Sequence, residues 1–402
     1  MKTVGVICEY NPFHNGHLRQ LRLARQAVGE DCALVCLMSG NYVQRGEPAI
    51  FPKQLRAEAA VRCGADLVLE LPLPVALSSA EGFAAGGVSI LSALGCELLC
   101  FGTESADPSV LLRAAEANLD PAFDGLLRDE LATGCAYPAA RQRALAALGA
   151  DGALCAPNDI LAVEYYKALL RQNTPMQALP ILRTGSYHAR RLEPEAPSAS
   201  CLRSAILAAD SSAGNHAPCE ASAPCPDWAA AVPECLHALY AHAARHSLAA
   251  GERALLARLR TLPDEAFAAL PYGSEGLWSK LMKNSRTCAS VEEILNATKS
   301  KRYTLSRIRR MLLCAFLGLT AADLETPPPY VRALAFNGAG RGLLRQMRAR
   351  FPVVNAGERP AEAAWYAMES RASDLYSLFS EAGPRPAGEE AAIRVFCSPV
   401  AK

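Results

Sequence analysis

The chain predicts an α/β protein built on a parallel sheet covered by helices on both faces, and three observations carry that prediction. Apolar runs at 3–8, 33–38, 66–71 and 97–102 alternate with helical stretches at 18–28, 53–63 and 80–94. The runs are apolar throughout rather than alternating, as strands buried on both faces are. Three of them end in polar, glycine-marked turns: His14-Asn15-Gly16-His17, Ser39-Gly40-Asn41 and Gly102-Thr103-Glu104. Carboxyl ends of parallel strands form the ligand crevice, so these loops converge on one rim.

The first run breaks into Glu9-Tyr10-Asn11-Pro12-Phe13 and then into His14-Asn15-Gly16-His17 at the head of an amphipathic helix. Two imidazoles three positions apart at a helix start set protonatable donors and free backbone N–H groups where a triphosphate would lie; Gly16 lets the backbone come close. Adenylyl transfer needs charge stabilisation on departing pyrophosphate more than a covalent catalyst, so His14 and His17 form the candidate catalytic pair. Nearby histidines also suit a surface or a helix cap, and their place after the first strand favours the site. Glu9 suits the site and a solvated loop carboxylate equally.

The segment from Met38 through Ala49 is too polar and glycine-marked for a mere connection. Within and after it, Arg45, Lys53 and Arg56 suit phosphate or RNA contact, or alternatively a basic solvated face. Gly102 leaves room for a nucleobase or ribose against the backbone, or is an ordinary turn glycine. Residues 108–150 read as a helical cover, and Asn158 or Asp159 as the cap of a helix at 162–171. A strand follows at 178–183, then a short helix from Ser198. Arg183 and Arg203 stand at element ends on one side and are candidates for the polyphosphate. The Ala-, Ser- and Pro-rich stretch 209–232 reads as an insertion or linker. It separates an expected nucleotide-binding domain, 1–208, from a mostly helical region, 233–402.

With 402 residues, 51% of them hydrophobic, and 41 basic against 40 acidic residues, the chain has the composition of a soluble globular protein of two or three domains. No basic, apolar leader opens it and no stretch approaches a membrane span, so a cytoplasmic protein without a membrane partner is expected. Fifteen cysteines, an odd number, lie largely in apolar runs without any Cys-x-x-Cys pair. That argues for reduced, buried thiols and against a disulfide framework or a zinc site. Charge is unevenly spread: between Lys280 and Arg310 stand nine basic residues against Glu292 and Glu293.

Longer blocks carry a resemblance. Glu9 through His17, Met38-Ser39-Gly40-Asn41 with Gln44-Arg45-Gly46-Glu47-Pro48-Ala49, Gly64-Ala65-Asp66 with Glu70-Leu71-Pro72, and Phe101-Gly102-Thr103-Glu104 resemble the bacterial tRNA(Met) cytidine acetate ligase family, of the HIGH-type nucleotidyltransferases. So do Pro157-Asn158-Asp159, Arg183 ahead of Tyr187-His188, Ser198-Ala199-Ser200 before Arg203, Glu275-Gly276-Leu277, and Lys299 through Thr304 before Arg307 and Arg310. The resemblance spans nearly the whole chain and implies a Rossmann-like nucleotidyltransferase domain with a mostly helical C-terminal region.

It also implies a ligase that forms acetyl-adenylate from acetate and ATP. The acetyl group then passes to N4 of the wobble cytidine, position 34, of elongator tRNA(Met), giving N4-acetylcytidine. The ATP-binding positions carried over are Ile7, Cys8, Glu9, Tyr10, Asn11, Pro12, Phe13, His14, Asn15, Gly16, His17, Leu18, Arg19, Gln20, Gly102, Asn158 and Arg183. Asn158 comes from the resemblance alone. Ser200 stands where threonine is expected and Thr103 where serine is, both keeping a hydroxyl. Within the basic segment, Lys301, Arg302, Tyr303 and Arg307 are expected to grip tRNA phosphates, with Tyr303 able to stack; a solvated helix face is the alternative.

Two other functions fit part of the pattern. A small-molecule nucleotidyltransferase would need no basic C-terminal surface, and a non-catalytic tRNA-binding protein would not need both histidines. Magnesium beside ATP is compatible with the residues and not derivable from them. The sequence carries no mark of oligomeric state.

Overall fold

The computed structural model describes residues 1–150, 156–183, 197–211 and 228–398. Tyr187, His188 and most of the 209–232 stretch lie outside the described residues.

Strands β1 (Thr3–Cys8), β2 (Ala33–Ser39), β3 (Leu67–Leu71), β4 (Leu98–Thr103) and β5 (Gln177–Leu182) pair in parallel in the order 3-2-1-4-5. Each expected strand is present to within one residue. Side chains alternate between two cores: Ile7, Val35, Leu37, Leu69 and Phe101 face one way, Val4, Val6, Leu34, Cys36 and Cys100 the other. Strand order reverses between β1 and β4, so the crevice opens beyond Cys8 and Thr103.

Helices cover both faces. The first, Asn15–Val28, begins inside the histidine turn rather than at residue 18, because His14 caps it. The expected cover at 108–150 is three helices, Pro108–Leu119, Phe123–Ala132 and Tyr137–Ala147. Helix Pro157–Arg171 starts five residues earlier than expected and is capped by neither Asn158 nor Asp159. Its N-cap is Ala156, and Pro157 opens the first turn, where a missing N–H costs nothing. Both side chains are thereby released for the neighbouring loop.

The C-terminal half also enters the sheet. Strand β6 (Val331–Phe336) runs antiparallel to β3 and carries β7 (Val353–Asn355) and β8 (Phe396–Cys397) parallel to itself. These strands are absent from the sequence reading because Val-Arg-Ala-Leu-Ala-Phe is rich in helix formers. A third core, with Leu255, Phe267, Ile308, Leu312 and Phe316, gathers the C-terminal helices and takes in Tyr42 and Leu77 from the other half.

Candidate adenylation site

At the end of β1 the buried Tyr10 adopts φ +45°, an unusual backbone state for a residue with a side chain. Packing holds it there: its ring lies 4.8 Å from that of Phe13, and its hydroxyl 3.3 Å from Cys36 Sγ. Asn11 Oδ1 accepts from Ile50 N at 2.8 Å, and Asn11 O from Arg203 Nη1 at 2.9 Å. The turn is therefore held from both sides before it reaches the histidines.

His14 Nδ1 accepts the Gly16 N–H at 3.1 Å, and His17 Nδ1 accepts the His14 N–H at 3.3 Å. The two rings stack with centroids 3.7 Å apart. Because each Nδ1 is an acceptor, the neutral rings carry their proton on Nε2, and each has one donor left. Both are neutral in the free protein. Burial, then the Arg183 and Arg203 charges, push His14 down to about 3; burial, then His14 and Arg183, push His17 well below its ordinary value. Expected as protonatable donors, the two imidazoles are neutral donors beside two arginines in the fold.

This has a measurable consequence. The unfolded chain takes up a proton at His14 near 6.5, whereas the fold does not until about 3, so His14 contributes stability that is lost as pH falls from 6.5 towards 3. Urea midpoints between pH 7.5 and 5 should therefore fall less for His14→Asn than for the original chain; equal slopes would remove His14 from this role.

Across the crevice, Gly102 lies in β4 opposite Ile181, and Arg183 N donates to Thr103 O at 2.8 Å. A Cβ on Gly102 would sit 3.0 Å from Arg183 Cδ. The missing side chain thus leaves room for the Arg183 stem. Burial lowers the Arg183 guanidinium while Glu104 counteracts this. Asn158 Nδ2 donates to Glu104 Oε1, and Asp159 Oδ1 accepts from Glu104 N at 2.8 Å and Ser105 N at 3.2 Å. In this way Asn158 reaches the rim through Glu104.

Among the remaining expected ATP positions, Arg19 Nη1 donates to Leu182 O at 3.4 Å and Gln20 Nε2 lies 3.9 Å from Cys100 Sγ. They fasten the first helix to β4 and β5. Asn15 Nδ2 donates to Ala230 O at 3.0 Å. Ile7 and Cys8 end β1, Pro12 lies in the turn and Leu18 in the first helix, and Glu9 Oε1 accepts from Gln44 N at 2.8 Å. Burial raises the Glu9 carboxyl, against the pull of that hydrogen bond and of Arg45, Arg203 and Arg56. Glu9 is accordingly a structural tie between two rim loops and not a solvated carboxylate.

Lys53 and Arg56 do not face phosphate or RNA. Arg56 is 0% exposed and donates to the carbonyls of Glu9, Ser39, Gly40 and Phe51, tying together three loop segments. Lys53, 1% exposed, lies 2.8 Å from both Glu70 and Glu390. Sequence reasoning missed these anchors because a basic residue at a helix start reads as surface. Glu70 packs against Gly40 where a Cβ would be, which explains a glycine there.

The basic segment divides. Lys301 and Arg302 are exposed in the loop before helix Leu305–Leu317. Tyr303 is only 8% exposed and its hydroxyl donates to Glu275 O, so stacking on a base is ruled out by burial. Arg307 is committed to the 272–275 turn, donating to Tyr272 O at 3.1 Å, Ser274 Oγ at 2.8 Å and Glu275 Oε2 at 3.1 Å. Its guanidinium is an internal brace with a partly exposed edge.

Twelve cysteines among the described residues are free thiols. No helix among the described residues is long and apolar enough to cross a membrane.

The model of the HIGH Nucleotidyl Transferase family matches residues 1–390. A tRNA(Met) cytidine acetate ligase of Acetivibrio thermocellus is 33% identical over 97% of this chain and 98% of its own length. Another, of Syntrophotalea carbinolica, is 37% identical over 88% of this chain and 84% of its own length. The crystal structure of Thermotoga maritima TmcAL bound with alpha-thio ATP superposes with a TM-score of 0.84 at 30% identity, covering 99% of this chain and all of that one, 100%. On this whole-length match, and on a histidine turn placed at the switch point of a 3-2-1-4-5 sheet, the chain belongs to the HIGH nucleotidyl transferase family and within it to the tRNA(Met) cytidine acetate ligases.

Proposed function

We propose that this protein activates acetate with ATP and acetylates N4 of the wobble cytidine, position 34, of elongator tRNA(Met) in the cytoplasm. The observation that carries the reading is the stacked His14/His17 pair at a helix N-terminus, facing Arg183 and Arg203, in a chain matched end to end by ligases of that name. An acetate oxygen attacks the α-phosphorus of ATP, the bond to the bridging β-oxygen breaks, and pyrophosphate leaves. The cytidine amine then attacks the acetyl carbonyl, the bond to AMP breaks, and N4 sheds one proton.

Each site residue has a part in this scheme. The Nε2 donors of His14 and His17, the positive dipole end of the first helix, and Arg183 and Arg203 meet charge that builds on the departing pyrophosphate; the N–H groups of Gly16, His17 and Leu18, expected to be free for phosphate, are taken by His14. Arriving phosphate offsets the two arginines and raises both imidazoles, so their donors strengthen as ATP binds. Residues 1–208 carry this step, and residues 233–402, beyond the 209–232 linker, contribute the tRNA surface, with exposed Lys301 and Arg302 as its phosphate contacts.

Incubation with ATP, labelled acetate and bulk bacterial tRNA should place label on N4-acetylcytidine; label confined to a small molecule would favour a nucleotidyltransferase of another kind. Replacing Lys301 and Arg302 by alanine should weaken tRNA binding and flatten the dependence of log K on log salt by about 0.7–0.9 per lost contact, while acetate-dependent ATP–pyrophosphate exchange persists. Loss of exchange in that variant would move these residues out of the acceptor surface.

A further inference from the structure

Two arginines from either side of the 209–232 stretch meet on one carboxylate beside the adenylation turn. Glu47 stands in a small hairpin, Tyr42–Val43 paired with Glu47–Pro48, within the rim loop after β2. Its Oε1 accepts from Arg309 of helix Leu305–Leu317, and its Oε2 lies 3.7 Å from Arg203 Nη2 of helix Ala199–Ser211. Arg203 in turn donates to Asn11 O, and its charge is among those that keep His14 neutral. One carboxylate therefore lies between an arginine that ties down the turn and an arginine of the C-terminal helix.

The hairpin is fixed on both flanks. On the turn side, Gln44 N donates to Glu9 Oε1. On the other, Arg310 Nη1 donates to Gln44 O at 3.3 Å, and its guanidinium lies 5.0 Å over the Tyr272 ring. Gly46, at φ +75°, has no room for a Cβ against the Arg309–Arg310 backbone. The Leu305–Leu317 helix thus sets where Glu47 lies, and Lys301 and Arg302 precede the same helix.

We propose that Glu47 is a positioning residue for the activation step. It holds Arg203 beside Asn11 and His14, and it makes that placement depend on Arg309 of the C-terminal helix. This rests on the proposed acetate activation. Its distinctive consequence is that an arginine of the C-terminal helix sets the rate of a reaction step that needs no tRNA. A carboxylate shared by two guanidiniums orients both, whereas a neutral amide keeps the volume and loses the charge pairing.

The test is acetate-dependent ATP–pyrophosphate exchange without tRNA, with folding checked by circular dichroism and thermal midpoint. Glu47→Gln and Arg309→Gln should each lower kcat by about tenfold to a hundredfold, with KM for ATP changed less than about threefold, because misplacement acts on the transition state. The double variant should fall no further than the worse single one, as partners in one interaction do. Glu47→Asp should restore part of the loss. Arg143→Gln, which removes an exposed ion pair to Glu130 in the helical cover, should match the original chain.

Single variants within about twofold of the original chain, or a double variant whose loss is the product of the singles, would overturn the proposal. If Glu47→Gln fails to fold, Glu47→Asp and Arg309→Gln carry the comparison. Absence of acetate-dependent exchange in the original chain would instead sink the activation reading itself.

Discussion

His17→Ala lowers acetate-dependent ATP–pyrophosphate exchange by about 10²–10³-fold, the cost of removing one preorganised donor from a site where charge develops. The ring is held by Tyr10 and Phe13, 4.9 and 5.5 Å away between ring centroids. Its Nδ1 is spent on the His14 N–H and its neutral state leaves a donor on Nε2. His14→Asn distinguishes capping from catalysis, because an asparagine oxygen at the N-cap can still accept a helix N–H. Expected there is a similar loss of exchange with the helix kept, read by circular dichroism and steady-state rates. Exchange at the original rate in His17→Ala would refute the role given to the pair.

The largest stability effect is expected from Lys53→Met. Lys53 Nζ lies 2.8 Å from Glu70 and from Glu390, Arg332 Nε lies 3.0 Å from Glu390, and Arg332 Nη2 lies 2.8 Å from Glu369. Burial by itself would lower the Lys53 ammonium, but Glu390 and Glu70 outweigh it and hold the group above its ordinary value. Burial, together with the neighbouring carboxylates and against the pull of Lys53, lifts Glu70 to about 7. Removing the cation leaves Glu70 buried without its partner, at a cost of about 3–5 kcal/mol. A fall in the urea midpoint of that size, partly recovered in Lys53→Met with Glu70→Gln, is the expected result. A change below about 1 kcal/mol would show that the network is not held by this charge.

The network also shows what tertiary packing adds. Glu390, Arg332 and Glu369 come from the C-terminal half, while Lys53 and Glu70 come from the first hundred residues. Nothing in their spacing marks them as partners. Arg332 is the second residue of β6, where a run of Arg, Ala and Leu reads as helix until the antiparallel partner β3 and the buried carboxylates are in place.

Local pattern by itself determined the five parallel strands, their helices, and the convergence of the histidine turn, Gly102 and Arg183 on one rim. Continuous apolar runs and turn residues act over a few positions, so they are written in order along the chain. Those blocks also carried the resemblance to the ligases. The third dimension decided charge state and commitment. It made His14 and His17 neutral, turned Lys53, Arg56 and Tyr303 inward, placed the Arg183 stem against Gly102, and set Glu47 between two arginines 106 residues apart. Burial and pairing depend on which distant segments meet, and a side chain's neighbours in sequence do not say which these are.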